Sequence, residues 1–580
     1  MGTNDFEPKL GRIRDAKSRT NLRTTKRMVE HVAKAGVGKV RQHGHILPGT
    51  RRRGTAPGVL ARAGLIAPGT RRVIVRARYV RQRGGDIGAA RAHLRYIQRD
   101  GITREGEPGR LYDAHRDDAD GNAFLDRSEN DPHQFRFIVS AEDSPRLKDL
   151  KPFVRDLMRQ MEQDLDTKLD WVAIDHFNTG HPHTHIVIRG RDDKGRDLVM
   201  ARDYIGHGVR ARAQSLVSLE LGPETEMERL GKLMSEVGQE RFTRLDRALL
   251  GQAKDHFLAV GSAVERNPAQ QTMRVGRLKT LERLGLASER QPGVWSLDAD
   301  LEPKLRRLGE RADTYKMMQR ALAEAGLDRG GAQLALFERG RRQTPVAGKV
   351  IAVGLVDEIT DRHYVIVDGA DGRVHYAELG RLNPHDVPGR GMVVSLAGDR
   401  LHGRPKSVVR VKVLSAVEPE ALPAYDGPTW LDRALTDKER ISVAATGFGG
   451  AIERALEDRR RWLVDNKLAD SKRSGDWVPK PGMRETLHSR EQARIVKDLS
   501  RQLNASHMPH EPGSRVSGVY ERSVATPNGR LAVIRREDTY TLAPWKAALE
   551  PMRGQAVTAV IGPHRVTWSL DRGRGLPGRG

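Results

Sequence analysis

Between residues 71 and 215, apolar and polar positions follow two alternating periods. RRVIVRARYV (71–80) and QFRFIVS (134–140) alternate every second residue, the pattern of half-buried strands. Between them, DIGAARAHLRYIQRDG places Ile87, Ala90, Leu94 and Ile97 on one stripe of a helix, with Asp86 as N-cap and Gly101 as stop. Leu150, Val154, Leu157, Met161 and Leu165 recur at three or four, predicting a second amphipathic helix with Pro152 in its first turn. LDWVAIDHF (169–177) and HTHIVIRG (183–190) are two further strands, joined through Asn178, Gly180 and Pro182. The order β-α-β-α-β-β predicts an α+β sheet with helices on one face.

The pattern weakens outside this stretch. Residues 1–70 lack an apolar period and read as a flexible basic arm, with at most a short helix near Thr24 to Ala35. Residues 216–340 read as helical; within them 277–301 has the shape of a helix followed by a small β wing, as in a winged-helix module. The apolar runs of 341–420, punctuated by Gly and Asp, predict a small β-barrel. Residues 421–510 read as helical, 511–570 as a β region with a hairpin turn at PNGR (527–530), and 571–580 as an Arg-rich tail. Reading along the chain shows no internal repeat.

Composition narrows the chemistry. With no cysteine in 580 residues, disulfides and thiolate ligands are excluded, so any metal must be held by His, Asp or Glu. The chain shows no apolar run of membrane-spanning length and no secretory leader, which predicts a cytoplasmic protein. Of the net charge of +25, the first 100 residues carry +18 (24 Lys and Arg against 6 Asp and Glu). Such a front end predicts a polyanion-binding surface, because neutralising phosphates releases counterions.

The densest chemistry is DHFNTGHPHTHIVIRG (175–190), with His176, His181, His183 and His185. Alternation puts His183 and His185 on one face of their strand, and an antiparallel neighbour can bring His176 opposite them. Three neutral imidazoles at one point form a divalent-metal site with open positions. By ligand softness the set suits Zn, Mn, Fe or Ni. His181, beside Pro182, belongs to the loop and reads as a supporting or DNA-facing group. Asp175 alternates away from His176, as a supporting carboxylate or a plain surface one.

A metal beside a basic surface points to phosphodiester chemistry and asks for a nucleophile. Tyr96 lies off the apolar stripe of its helix, with Ala92 and His93 one turn back and Arg95 and Arg99 raising the local potential. Tyr79, within a strand, and Tyr112, in a polar loop, are the reserves.

The sequence of strand, helix with LRYIQRDG, serine-ended strand FRFIVS and H-x-N-x-x-H-P-H-x-H resembles the conjugative relaxases of the VirD-type (MobP) branch of mobilisation nucleases. The resemblance covers roughly 71–215. Their metal motif, H-x-D-x-x-x-x-H-x-H, is matched at His176, His183 and His185, with Asn178 where the family has Asp. The resemblance implies a histidine-hydrophobe-histidine sheet, Mg²⁺ or Mn²⁺ as cofactor, Tyr96 as nucleophile and Ser140 as a residue that helps hold DNA. It also implies single-stranded DNA at an origin of transfer as substrate, with a 5′-phosphotyrosyl intermediate that is later religated. Accessory DNA-binding proteins and a type IV secretion coupling protein would be partners, and the chain would be exported to a recipient cell as a covalent DNA complex. Two other readings stand beside it: a rolling-circle replication initiator or transposase, whose tyrosine usually follows the histidines, and a non-catalytic, metal-stabilised DNA-binding regulator.

Overall fold

A computed structural model describes residues 70–570 apart from 83–87, 102, 105–106, 178–181, 261–266, 338–343, 358–360, 383–385, 400–407, 437–442, 472–476, 512 and 563–565. The basic arm, the Arg-rich tail, the Asp86 cap, Ile87, Asn178 and His181 lie outside the described residues. The chain divides into two units, Met1–Gly309 and Glu310–Gly580. Among the described residues, no helix is long and apolar enough to cross a membrane.

The first unit begins with strand β1 (Val73–Arg81), helices α1 (Gly88–Asp100) and α2 (Gly121–Arg127), and strand β2 (His133–Ala141). Helix α3 (Leu150–Leu165), strands β3 (Trp171–His176) and β4 (His183–Arg189) and helix α4 (Val209–Leu221) follow. Asp120 and Asp149 cap α2 and α3 by accepting from Asn122 and Ala123 N–H, and from Lys151 N–H, respectively. The strands form an antiparallel sheet in the order β1-β2-β4-β3.

Helices cover both faces of this sheet, not one. Val73, Val75, Phe137, Ala173 and Ile186 pack with α3 and α4 on one side, whereas Val172, Ile174 and Val187 pack with α1 and α2 on the other. The reason is visible in WVAI and IVI: over these runs β3 and β4 are apolar at consecutive positions, so both sides must be covered there. The second side of β1 and β2 mixes Ile74, Val80 and Ile138 with Arg76, Arg78, Gln134 and Arg136, and along β1 it stays partly open, with Ile74 51% exposed. At the end of α1, a Cβ on Gly101 would stand 2.5 Å from Ile174 Cδ1, so glycine lets the chain close onto β3. Helix α4 runs through the expected boundary at 215, and its Val217 belongs to the same core as β1 and β2.

The rest of the unit comprises α5 (Glu226–Glu236), α6 (Arg244–Gln252), β5 (Phe257–Ala259), α7 (Pro268–Arg283), β6 (Ala287–Gln291), β7 (Val294–Leu297) and the start of α8 (Leu301–Glu324). Helix α7 is followed by the β6-β7 hairpin, and β5 joins it in the order β5-β7-β6. A wholly buried arginine fixes this module. Arg277 lies bidentate on Asp246 (2.7 and 2.8 Å) and donates to the carbonyls of Val237, Gln239 and Arg241. Breaking such a buried pair costs about 3–5 kcal/mol.

The second unit contains a sheet of β8 (Leu334–Leu336), β9 (Val346–Asp357), β10 (Arg362–Gly369), β11 (Val374–Arg381), β12 (Val393–Asp399) and β13 (Val408–Ser415). The small barrel expected at 341–420 is, among the described residues, an open ladder in the order β13-β12-β9-β10-β11-β8. Its apolar runs are buried in two ways: Val350, Val365, Val367, Ala377, Val394 and Val409 form a core among the sheet's own strands, and Ala347, Ala370 and Val393 pack with residues of α9 (Trp430–Thr436) and α10 (Gly447–Asp465). A short hairpin, β14 (Ala469–Ser471) with β15 (Trp477–Pro479), precedes α11 (Met483–Leu503). The described residues end in a second six-stranded sheet spanning residues 506–570.

No repeat stands out along the sequence, yet the fold contains one. Arg459 lies bidentate on Asp432 (2.8 and 3.0 Å) and donates to the carbonyls of Pro423, Tyr425 and Gly427. Relative to the capping threonines Thr243 and Thr429, both arginines engage the carbonyls six, four and two residues earlier and the aspartate three residues later. The matching residues are few and mostly buried, so the exposed majority of each copy has diverged in sequence.

Candidate metal centre

Residues directly opposite in an antiparallel ladder share a face, so the register fixes which side chains meet. His176 pairs with His183, Ile174 with His185, and Val172 with Val187 across β3 and β4. Across β2, Ile138 pairs with His185 and Arg136 with Val187; across β1, Ile74, Arg76 and Arg78 pair with Ser140, Ile138 and Arg136. The histidines therefore stand at a seam. On one side α1 and α2 cover β3 and β4; on the other β1 presents Ile74, Arg76 and Arg78, while Arg136 of β2 is buried. The alternation in VIVRARYV carries the signal for this basic floor, which a search for metal motifs passes over.

His176, His183 and His185 are all buried, with ring centroids 4.4 to 5.2 Å apart and one candidate ligand atom from each within 4.8 Å of the others. Among the described residues no carboxylate joins the group. Such a set of nitrogen donors can hold a metal ion, whose bonds of roughly 2.1 Å need only a small inward movement of the rings. His176 Nε2 lies 2.9 Å from the carbonyl oxygen of Ile97. As donor to that oxygen, Nε2 keeps its proton and leaves Nδ1 as the lone pair for a metal.

That bond ties the cluster to helix α1. Tyr96, next to Ile97, is half-buried and packs against the core formed with α1, despite lying off the apolar stripe. His93 is buried one turn before it, and Arg95 is exposed. The Arg99 side chain lies outside the described residues.

The first unit has four tyrosines, and the pleat sorts them. Tyr112 is wholly buried on the α3 side and donates to Asp175 Oδ1 at 2.8 Å; burial raises its phenol well above the usual range. Tyr204 belongs to the same core and donates to Asp164. Tyr79 alternates with Val73 and Val75 toward that side and stands edge-on to Phe135. Both reserve tyrosines are thus on the side of the sheet away from the histidines; Tyr96 is on theirs.

Asp175 is neither a surface carboxylate nor a support for the rings. It faces away from them, accepts from Tyr112 and from Thr184 Oγ1 at 2.6 Å, and burial pushes its carboxyl up to about 6. Ser140 has a specific local part. Its hydroxyl and that of Ser144 both donate to the carbonyl of Pro182, at 3.0 and 3.1 Å, fixing the residue before His183. Sequence reading misses Ser144 because nothing local connects it to a strand 39 residues later.

Residues 274–408 and 400–577 match a family described as protein of unknown function (DUF3363). No curated protein and no solved structure matches the chain.

Proposed function

We propose that this chain, which belongs to the DUF3363 family, is a metal-dependent DNA relaxase that nicks and rejoins one strand through Tyr96. The observation that carries the reading is the hydrogen bond of His176 to the carbonyl of Ile97: it joins the histidine cluster to the turn that bears the one tyrosine on that side of the sheet. The resemblance to relaxases rests on residues 71–215, outside the matched family regions, so the reading stands on this site alone.

Tyr96 Oη gives up its proton and attacks the phosphorus in line; the P–Oη bond forms, the P–O3′ bond breaks, and the 3′ oxygen leaves as a hydroxyl by taking up one proton in exchange for the phenol's. One phosphodiester replaces another, so no ATP is consumed and the step reverses. A divalent ion, Mg²⁺ or Mn²⁺, held by His176, His183 and His185 would neutralise charge on the non-bridging oxygens. Exposed Arg76 and half-buried Arg78 supply a positive floor for the strand, and Ser140 with Ser144 holds the carbonyl of Pro182 just before His183.

The test uses supercoiled plasmid carrying the chain's own flanking DNA, with Mn²⁺ or with EDTA, and detects protein bound to DNA after detergent. The expected result is a covalent adduct with Mn²⁺ that Tyr96→Phe abolishes while DNA binding remains. Closed plasmid throughout would favour the regulator reading instead.

A further inference from the structure

The two arginine clasps belong to a longer correspondence. From Arg277 to Leu305, residues recur 182 positions later: Arg277 and Arg459, Leu281 and Leu463, Leu286 and Leu468, Trp295 and Trp477, Leu305 and Leu487. All but Trp477 are buried. Backbone bonds recur as well: Leu286 N–H to Leu281 O and Leu468 N–H to Leu463 O are both 2.8 Å, and Asp298 N–H to Leu286 O (2.9 Å) matches Lys480 N–H to Leu468 O (3.0 Å). The turn after each helix has a positive φ at the same step, Gly285 at 70° and Lys467 at 61°. TRLDRAL (243–249) and TWLDRAL (429–435) open the two copies. The chain therefore holds one helix-and-wing module twice, once in each unit.

The copies share an interior and differ outside it. On α7, leaving aside the clasped Arg277, three cations (Arg274, Lys279, Arg283) stand against one anion (Glu282). In the aligned stretch 450–465, leaving aside Arg459, three cations (Arg454, Arg460, Arg461) stand against four anions (Glu453, Glu457, Asp458, Asp465). The first wing exposes Glu289 beside Arg290, and Glu289 pairs with Lys279 at 3.1 Å, so helix and wing together keep an excess of two cations; the start of α7 offers Gln270, Gln271 and exposed Thr272, polar groups suited to base edges.

The first copy, through Arg244, and helix α5 just before it are also anchored beside the histidines. Lys232 reaches Asp143 (2.9 Å), Arg244 reaches Glu142 (3.3 Å), and Arg71 joins Asp143 (2.9 Å) to Glu228 (3.1 Å). Glu142 and Asp143 lie two and three residues beyond Ser140, so α5 and α6 are bound to the end of the sheet that carries the cluster.

We propose that the first copy, through α7 and the β6-β7 wing, is a docking module for duplex DNA, and that its twin in the second unit has lost this role. A helix entering a groove with a wing beside it is a geometry used for duplex recognition, and charge separates the two copies. The proposal rests on the nicking reading only for its purpose, holding duplex at a fixed place relative to the strand being cut. Binding in EDTA is measured independently of nicking.

Because the chain has no cysteine, a single one can be introduced at each wing of the full-length protein and labelled with a photocrosslinker. With a 30-base-pair duplex in EDTA, Arg290→Cys should crosslink at least tenfold more than Ser471→Cys. Arg283→Glu with Arg290→Glu should weaken duplex affinity about tenfold and lower the salt slope by about two, whereas Arg460→Glu with Arg461→Glu should change neither. Equal crosslinking at both wings, crosslinking at neither, or an unchanged affinity in the first pair would overturn the proposal. An absent Tyr96 adduct alongside the expected crosslinks would remove the nicking reading and leave this one standing.

Discussion

The two faces of the β3-β4 ladder carry side chains that alternate residue by residue yet behave as different materials. Asp175 and Thr184 point toward α3 and meet Tyr112 in a closed set of hydrogen bonds; His176, His183 and His185, their chain neighbours, point toward α1 and converge on one another. In the first set both hydroxyls donate to one oxygen, Asp175 Oδ1, which locks the core. In the second, three nitrogen donors gather without a carboxylate among the described residues, next to a helix bearing a phenol. A tyrosine and an acid close in sequence to a metal motif are thus no guide to chemistry until their side of the sheet is known.

The largest effect should come from exchanging neighbours across the pleat. His185→Ala should lower Mn²⁺ or Zn²⁺ affinity by on the order of 100-fold or more in calorimetry, since a lost ligand exceeds the loss typical of an outer partner. Thr184→Val should leave affinity within about twofold, because its hydroxyl serves Asp175 on the other side. Similar losses for both would erase the distinction between the faces.

The tyrosines provide the next contrast. Tyr112→Phe should keep the covalent adduct but lower unfolding free energy by about 1–3 kcal/mol, as Asp175 loses a buried donor. Tyr96→Phe should do the reverse, losing the adduct with little change in denaturation midpoint. An adduct that survives Tyr96→Phe and vanishes with Tyr112→Phe would invert the assignment.

Asp175 sharpens the comparison through pH. Its carboxyl is raised from 3.8 to about 6, chiefly by burial, with Thr184 and Tyr112 pulling the other way. A raised acid favours the folded state while neutral, so this contribution is complete below about pH 4 and lost as pH rises through 6. Asp175→Asn keeps a neutral acceptor. In EDTA, its melting temperature relative to the parent should therefore climb between pH 4.5 and 7.5; a constant difference would mean the carboxylate is better solvated than its surroundings imply.

The smallest effect is expected at Ser140. Ser140→Ala removes one of two hydroxyls on the Pro182 carbonyl and leaves Ser144 in place, so metal affinity should fall only about threefold, in line with roughly 0.5–1.5 kcal/mol for one hydrogen bond. A loss as large as that of His185→Ala would make Ser140 a direct participant.

Much of the site was legible in residue order. Alternation alone put His183 and His185 on one face, and the α3 stripe at Leu150, Val154, Leu157, Met161 and Leu165 is buried along its length. The placement of helices was not, because an apolar strand such as WVAI records that both sides are covered but not by what. The repeated module is hard to see for a related reason: its signature is a short run and a few scattered residues at two different offsets, 186 before Arg277 and 182 from it onward, and a clasp such as Arg277 with Asp246 looks like two ordinary surface charges until they meet.

By itself the sequence determined the periods, the spacing of the three histidines, the absence of thiols and the concentration of positive charge at the front. Those are properties of neighbours, set by backbone geometry and side-chain type over a few residues. Tertiary structure decided that Tyr96 shares the histidines' side, that Tyr112 does not, and that distant arginines clasp two copies of one module. Such facts depend on which strands pair and in what register, and a shift of one residue would turn every side chain to the opposite face.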